Sequence, residues 1–433
     1  EIITGSTTTY SQGYISKDST ISLIILGEDT IPIFIAFGGI SSQTAFICDF
    51  IISELNKNGY EGYIVGGCVR DYLMGIPPHD YDITKSALPE EVKAIFPHTV
   101  DTGIEHGTVT VIIDKIGYEL TTYRIDGEYK DNRHPEQVIF TDKLAGDLSR
   151  RDFTVNAIAY NDQRGYVDMF GGMEDIKKAI IKGVGEPSKR FQEDALRMMR
   201  ALRFSAQLNF SIEENTMLAL KENAQLIKNI SIERIREEFF KLIISDHNER
   251  LDLLYESGML PYFLPELAKI IEDNSISYTT INTLSKDICV RLAYVFHTLD
   301  SDNVKKILHN FRTDNKTNKI TSQLVKYIDF EITDKYSLRK LISILGENTE
   351  HEIEIMGAVK GIDTSKAKEM YSEIISAGDC CNLKSLAING NDLKELGIDH
   401  GKEVGEYLAK ALDFVLKNPH NNQREKIMAF LRG

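Results

Sequence analysis

YIVGGCVRDYLMGIPPHDYDIT, residues 63–84, is the stretch on which the fold turns. Tyr63, Ile64 and Val65 read as an apolar strand, Gly66 and Gly67 as a turn, and the next residues as a short helix carrying Arg70 and Asp71. Pro77-Pro78 breaks that helix, and a second strand bears Asp80 and Asp82. Strand side chains alternate between faces, so the two carboxylates point one way and Tyr81 the other. Two ionised carboxylates this close repel each other, and a site that keeps both charged normally sets a divalent cation between them and a substrate. Hard oxygen donors without Cys or His favour Mg²⁺. Glycines let backbone N–H groups approach an anion, and a helix start adds partial positive charge. The stretch therefore reads as a holder for a metal-bound triphosphate.

Upstream, Phe46, Ile47, Phe50, Ile51 and Leu55 recur at helical spacing, which predicts a helix from Thr44 to Asn58, ended by Asn58-Gly59. Residues 1–45 begin at Glu1 without a methionine and are rich in Ser, Thr, Gly and Ile with no clean period. They read as a fragment end, a divergent extension or an irregular segment, lack the pattern of a signal peptide, and are given no role. Downstream, a helix is expected near Leu88 to Phe96. Thr108–Ile113 and Tyr118–Tyr123 have the β-branched and aromatic richness of paired strands, with Lys115-Ile116-Gly117 as the turn. Glu119, in the second of these, either completes a carboxylate cluster with Asp80 and Asp82 or is an ordinary solvent-facing glutamate. The polar segment Arg124 to Pro135 reads as a mobile loop.

Two later stretches add cationic groups. Arg150-Arg151 precedes a strand expected at Ala157 to Tyr160; such a pair is often surface charge, but beside a phosphate site guanidinium forks match phosphate and ribose oxygens. From about Ile176 the pattern is helical to the end. Phe191 to Gln207, FQEDALRMMRALRFSAQ, predicts one helix with Glu193, Asp194, Arg197, Arg200 and Arg203 over about half its circumference and Ala195, Met198, Met199 and Leu202 opposite. Three arginines spaced by threes are a costly ridge of like charge unless an anion lies over them, and Phe204 falls unexplained inside that polar half.

Composition bounds the classes open to the chain. At 433 residues, 42% hydrophobic and 27% charged, it has the makings of an ordinary globular protein of roughly three domains. No apolar run is long enough to span a membrane; the nearest, Ile21 to Ile40, is interrupted by Gly27, Glu28, Asp29 and Pro32. Five cysteines without metal spacing argue against a disulfide framework and for a reducing cytoplasm. A net charge of −15 argues against a general nucleic-acid binder, so any nucleic-acid partner must be held by local basic patches. No oligomeric state follows.

GGCVRD with HDYD, then RRDFTVNAIAY, then EDALRMMRALRF, resemble the successive motifs of class II tRNA nucleotidyltransferases, the CCA-adding enzymes, within the DNA polymerase β-like superfamily. The resemblance covers roughly residues 46–433 and is strongest from Tyr63 to Phe210. It implies an α+β protein: a mixed β-sheet nucleotidyltransferase head (46–175) followed by an all-α neck that selects the nucleotide (176–245), body (246–330) and tRNA-binding tail (331–433). It implies Asp80 and Asp82 as metal ligands, Gly67 and Arg70 holding the nucleotide, and Arg151 contacting it from the second motif; Gly66, Asp152 and Asn156 are further nucleotide-site candidates and Glu119 a further catalytic one. Asp194 and Arg197 resemble the pair that reads the base, with Arg200 and Arg203 completing its pocket. An ionised Asp only accepts and an Arg only donates. Cytosine and adenine satisfy that edge, whereas uracil and guanine set an acceptor against the Asp. Neither the glycine-turn stretch nor the base-reading helix should therefore discriminate nucleotides alone.

The implied partners are tRNA, CTP and ATP, with Mg²⁺ as cofactor and no membrane. Narrower relatives, CC-adding, A-adding or poly(A)-synthesising, are the competing readings, along with a silent RNA- or nucleotide-binding protein. The long Arg124 to Pro135 segment, the absence of a basic extension before Gly433 and the retention of both aspartates favour full CCA addition. Ser231 is expected to cap a neck-stabilising helix at Ser231–Glu238, and Leu254 to Leu267 resembles a helix-turn segment of the body. Gly401 and Gly405, in the tail, read either as close helix packing or as a phosphate contact. His297 and Asp300 lack the adjacency of a phosphohydrolase metal pair.

Overall fold

The computed structural model describes residues 40–78, 80–127 and 138–433. Residues 1–39 of the N-terminal segment, His79 of the HDYD motif and residues 128–135 of the expected loop lie outside the described residues. The chain forms two units. The first takes the described residues of Glu1–Ile125 with Phe140–Leu148 and Asn156–Met169; the second takes those of Asp126–Ile139 with Ser149–Val155 and Phe170–Gly433.

The first unit opens with α1 (Ile40–Lys57), four residues earlier than the apolar pattern predicts. Its buried stripe is Cys48, Ile51, Ile52 and Leu55; Phe46 and Phe50, expected to belong to it, are exposed. There follow β1 (Gly62–Val65), α2 (Gly67–Leu73), β2 (Asp82–Lys85), α3 (Pro89–Ile95), β3 (Thr99–Gly103), β4 (Thr108–Ile113) and β5 (Ile116–Thr122). Pro89 at the first turn of α3 suits a position whose N–H has no helical partner. The β4–β5 turn is Asp114-Lys115 rather than Lys115-Ile116-Gly117. Both residues have positive φ, 51° and 68°, as a two-residue hairpin of matching twist requires.

β6 (Arg124–Asp126) and β7 (Val138–Phe140) make a two-stranded sheet of their own, so the expected loop begins as strand at Arg124. After α4 (Leu144–Ser149) come β8 (Ile158–Asn161) and β9 (Gly165–Asp168). The main sheet is seven-stranded in the order β3-β4-β5-β2-β1-β8-β9. Only β2 and β5 in it are parallel, so the sheet is mixed. All four residues of β1 are buried, as suits an inner strand covered on both faces.

The second unit is mainly helical. It contains α5 (Gly172–Lys177), β10 (Ile180–Ile181), α6 (Pro187–Glu193), α7 (Leu196–Leu208), β11 (Ser211–Ile212), α8 (Glu214–Asn223) and α9 (Ile232–Ile243), and helices continue to Arg432. Beyond residue 176, where the sequence predicts helix throughout, β10 and β11 pair in parallel, and Gly183 forms a bridge with Phe153. Leu251–Glu256, Leu260–Phe263 and Pro265–Glu272 form the helix-turn segment, with Gly258 at φ 73°. Ser231 occupies the N-cap position of α9, but its side chain makes no capping bond. No helix among the described residues is long and apolar enough to cross a membrane.

Candidate active site

In the first unit, the chain turns from β1 into α2 through Gly66, whose φ of 87° and ψ of −137° exclude a side chain without strain. The Gly66 N–H does not face outward for an anion; it donates to the Ile158 carbonyl at 3.3 Å. A Cβ on Gly67 would stand 3.5 Å from Arg70 Nη2, so this glycine leaves open the space beside the guanidinium. Arg70, 7% exposed, donates to Asn156 Oδ1 at 2.6 Å and to Asp71 Oδ1 at 2.6 and 2.9 Å. Gly67, Arg70 and Asn156, predicted separately, are thus brought together.

Asp82 is the first residue of β2; Asp80 precedes the strand rather than lying in it. The alternation survives: Asp80 and Asp82 are exposed and Tyr81 between them is buried. Ile83 lies opposite Leu120 in the parallel β2–β5 ladder. One residue earlier on each strand, Asp82 and Glu119 fall side by side on one face, both exposed while Ile83 and Leu120 are buried. Glu119 thus neighbours Asp82, and its exposure fits both of the readings made from sequence.

No group of three or more His, Cys, Asp or Glu side chains among the described residues is arranged to hold a metal ion. A donor set of one or two exposed carboxylates still fits a hard cation that takes its remaining ligands from water and substrate phosphate. Thr84, on the same face as Asp82, shares a 3.2 Å hydrogen bond with the fully buried Asp147. Neither was singled out from sequence, where Asp147 reads as one more polar residue of α4.

In the second unit, the predicted single helix over Phe191–Gln207 is two helices. α6 ends at Glu193, Asp194 is extended (φ −137°, ψ 104°), and α7 begins at Leu196. The Asp194 carboxylate accepts the Leu196 N–H at 3.1 Å, a local bond that competes with continuing the helix. Its other oxygen accepts from Arg234 Nη2 at 3.0 Å. Arg197, 9% exposed, donates from Nη1 to Glu193 at 2.9 Å and to the Arg190 carbonyl at 3.3 Å, and from Nη2 to the Arg150 carbonyl at 2.8 Å. Arg197 Nε makes no hydrogen bond among the described residues.

The arginine ridge needs no external anion. Arg197 pairs with Glu193 at 2.9 Å, Arg200 with Asp152 at 2.7 Å and Arg203 with Glu238 at 2.5 Å. The Asp152 carboxylate pushes the Arg200 guanidinium further up, whereas burial pulls Arg203 down against the pull of Glu238. Phe204, unexplained by the helical wheel, lies under both cations: Arg203 Cζ is 3.9 Å and Arg200 Cζ 5.3 Å from its ring centroid. Phe153 meets the same ring edge-on at 5.9 Å. The RRDF segment therefore runs along α7, with Asp152 holding Arg200. Arg151 beside it is half-buried.

Farther along, a Cβ on Gly401 or Gly405 would meet nothing within 4 Å among the described residues, which speaks against close helix packing as the reason for these glycines. His297 Nδ1 is 2.6 Å from the Tyr294 carbonyl, and Asp300 caps the helix Ser301–Asn310. Both are occupied structurally.

A mixed sheet that presents neighbouring carboxylates beside a glycine turn has the build of a nucleotidyltransferase. Residues 62–182 match the poly A polymerase head domain, residues 209–271 the RNA- and SrmB-binding site of polymerase A, and residues 283–431 the tRNA nucleotidyltransferase domain 2. The chain is 39% identical to a CCA-adding enzyme of Lactobacillus delbrueckii subsp. bulgaricus over 386 residues, 88% of this chain and 96% of the relative. It is 37% identical to that of Geobacillus kaustophilus, over 88% of this chain and 95% of the relative. Among solved structures, it superposes on the Bacillus stearothermophilus CCA-adding enzyme in complex with CTP with a TM-score of 0.79 at 33% identity, covering 91% of this chain and 98% of that one. The chain belongs to the CCA-adding enzymes, the class II tRNA nucleotidyltransferases. Use of a divalent metal comes with that family.

Proposed function

We propose that this protein adds C, C and A to the 3′ end of tRNA, using CTP and ATP without a nucleic-acid template. The observation that carries this reading is the likeness over 98% of a CCA-adding enzyme solved with CTP. In the reaction the tRNA 3′-oxygen bonds to the α-phosphorus, the bond from that phosphorus to the bridging oxygen breaks, and pyrophosphate leaves. Asp80 and Asp82 would hold Mg²⁺, with Glu119 beside Asp82 across the parallel ladder. Bound there, the cation supplies charge neutralisation for the phosphates and eases deprotonation of the attacking hydroxyl. Gly67 and Arg70, steadied by Asn156, take the triphosphate, and Arg151 contacts the nucleotide.

For base choice, Asp194 offers acceptors and Arg197 Nε offers a donor. Arg200 and Arg203, fixed by Asp152 and Glu238, border that edge. Head (46–175), neck (176–245), body (246–330) and tail (331–433) are the proposed division of labour, with the tail gripping tRNA. A reducing cytoplasm suits five free, buried cysteines.

The direct test is incubation with tRNA lacking its 3′ end, Mg²⁺, and CTP and ATP singly and together, followed by sequencing of the products. CCA followed by arrest is the expected result; A-tails of indefinite length would transfer the assignment to poly(A) synthesis. Arg197→Ala should lower discrimination for C and A over U and G by about 10- to 100-fold, the worth of a bidentate base contact. Unchanged selectivity in single-nucleotide incorporation would remove the base-reading role.

A further inference from the structure

Arg234 stands on α9, 40 residues beyond Asp194, and its Nη2 donates to Asp194 Oδ2 at 3.0 Å. The two side chains are 27% and 20% exposed, so the pair is largely withdrawn from water. Arg234 Nη1 is buried and has no hydrogen-bond acceptor among the described residues. A guanidinium placed only to tie two helices together would be expected to spend its buried donors on carboxylates or carbonyls, as Arg197 does with Glu193, Arg190 and Arg150. Arg234 instead commits one nitrogen to a single carboxylate oxygen and leaves another unspent beside it.

Asp194 needs such a partner. It lies in an extended break between two helices, where no helical neighbour fixes its side chain. Its Oδ1 is tethered to the Leu196 N–H, which leaves rotation about that tether as the remaining freedom. We propose that Arg234 is a specificity-determining positioning residue: it fixes the second oxygen of Asp194, so that the carboxylate presents its remaining lone pairs in one direction as acceptors. This rests on the reading of Asp194 and Arg197 as the base-reading edge.

The consequence concerns rejection more than binding. Uracil and guanine are refused because O4 or O6 meets a fixed acceptor. A carboxylate released from Arg234 can turn aside and let water bridge the two oxygens, so the wrong bases gain while cytosine and adenine lose little. A role in holding the helices together would affect all four nucleotides alike.

The test is Arg234→Gln, assayed for kcat/KM with CTP, ATP, UTP and GTP on tRNA lacking its 3′ end, alongside its melting temperature. The expected result is a roughly tenfold fall in the CTP-to-UTP and ATP-to-GTP ratios, through a lower KM for UTP and GTP, with partial recovery in Arg234→Lys. A wild-type ratio in Arg234→Gln, whatever its melting temperature, overturns the proposal. Should Arg234→Gln fail to fold, Arg234→Lys carries the comparison: a roughly threefold fall is expected, and a wild-type ratio overturns it. Asp194→Ala in the same assay separates the two ideas. If it loses discrimination while the Arg234 variants keep theirs, only the positioning role fails; if it discriminates normally, the base-reading edge itself fails.

Discussion

Asp82→Ala is expected to lower the rate of nucleotide incorporation by roughly 10³-fold or more, because a cation that neutralises phosphate in the transition state is worth several kcal/mol. Asp82 is exposed at the first position of β2, with Glu119 beside it across the parallel ladder and the buried Ile83 next in the strand. The backbone pairing of Val65 with residue 82 does not involve its side chain, so the sheet should persist. Stability should stay within about 0.5 kcal/mol of wild type, as for most exposed substitutions. Single-turnover incorporation of CTP with Mg²⁺, compared with the melting temperature of the same sample, checks both halves. Near-normal turnover would withdraw Asp82 from the metal site; a large fall in stability would make lost activity uninformative about chemistry.

The second large effect lies far from the chemistry in sequence. Glu352, on the helix Thr349–Lys360, is fully buried, and neither carboxylate oxygen has a hydrogen-bond partner among the described residues. Burial pushes its carboxyl from 4.5 up to about 8, against a modest opposing pull from Lys360. Below pH 4.5 both folded and unfolded chains carry the proton, and stability is indifferent to pH at this group. Between 4.5 and about 8 the unfolded chain loses the proton while the folded one keeps it, so folding takes up a proton and stability falls as pH rises. Above about 8 the loss is complete.

Glu352→Gln removes the ionisable group while keeping its size. The variant should match wild type near pH 5 and become more stable by roughly 4 kcal/mol at pH 8, at about 1.4 kcal/mol per pH unit of separation. Melting temperatures of the two proteins from pH 5 to 9 test this. A gap that stays constant across the range would show that Glu352 does not carry the proton.

Local features were legible in sequence and non-local ones were not. The strand, glycine turn and helix of residues 62–73 follow from neighbours in the chain, and alternation alone predicted that Asp80 and Asp82 would share a side. The placement of Glu119 beside Asp82 needed the register of two strands separated by more than thirty residues, which no periodicity encodes. The break at Asp194 was hidden because helical spacing continues across it; the competing bond, from its own carboxylate to Leu196 N–H, leaves no compositional trace. The cationic ridge on α7 looked unbalanced because Asp152 and Glu238, which balance it, come from distant segments. The same pairs explain Phe204, which a helical wheel can only misplace. β3 and β9, TVDTG and GYVD, are polar and partly exposed, so neither carries the apolar alternation that announces a strand.

The route of the chain through its two units limits how the protein can be taken apart. The backbone leaves the first unit after Leu148, gives residues 149–155 to the second, and returns at Asn156 to supply β8 and β9. A fragment ending at residue 148 would lack the neighbour of β1 on one side. A fragment starting at residue 170 would lose the Arg150 carbonyl, Asp152 and Phe153 that hold Arg197, Arg200 and Phe204. Chimeras between relatives joined at a single crossover near residue 170 would therefore pair one parent's α7 with the other parent's RRDF strip. Such exchanges should work only when residues 149–155 travel with the helix they brace.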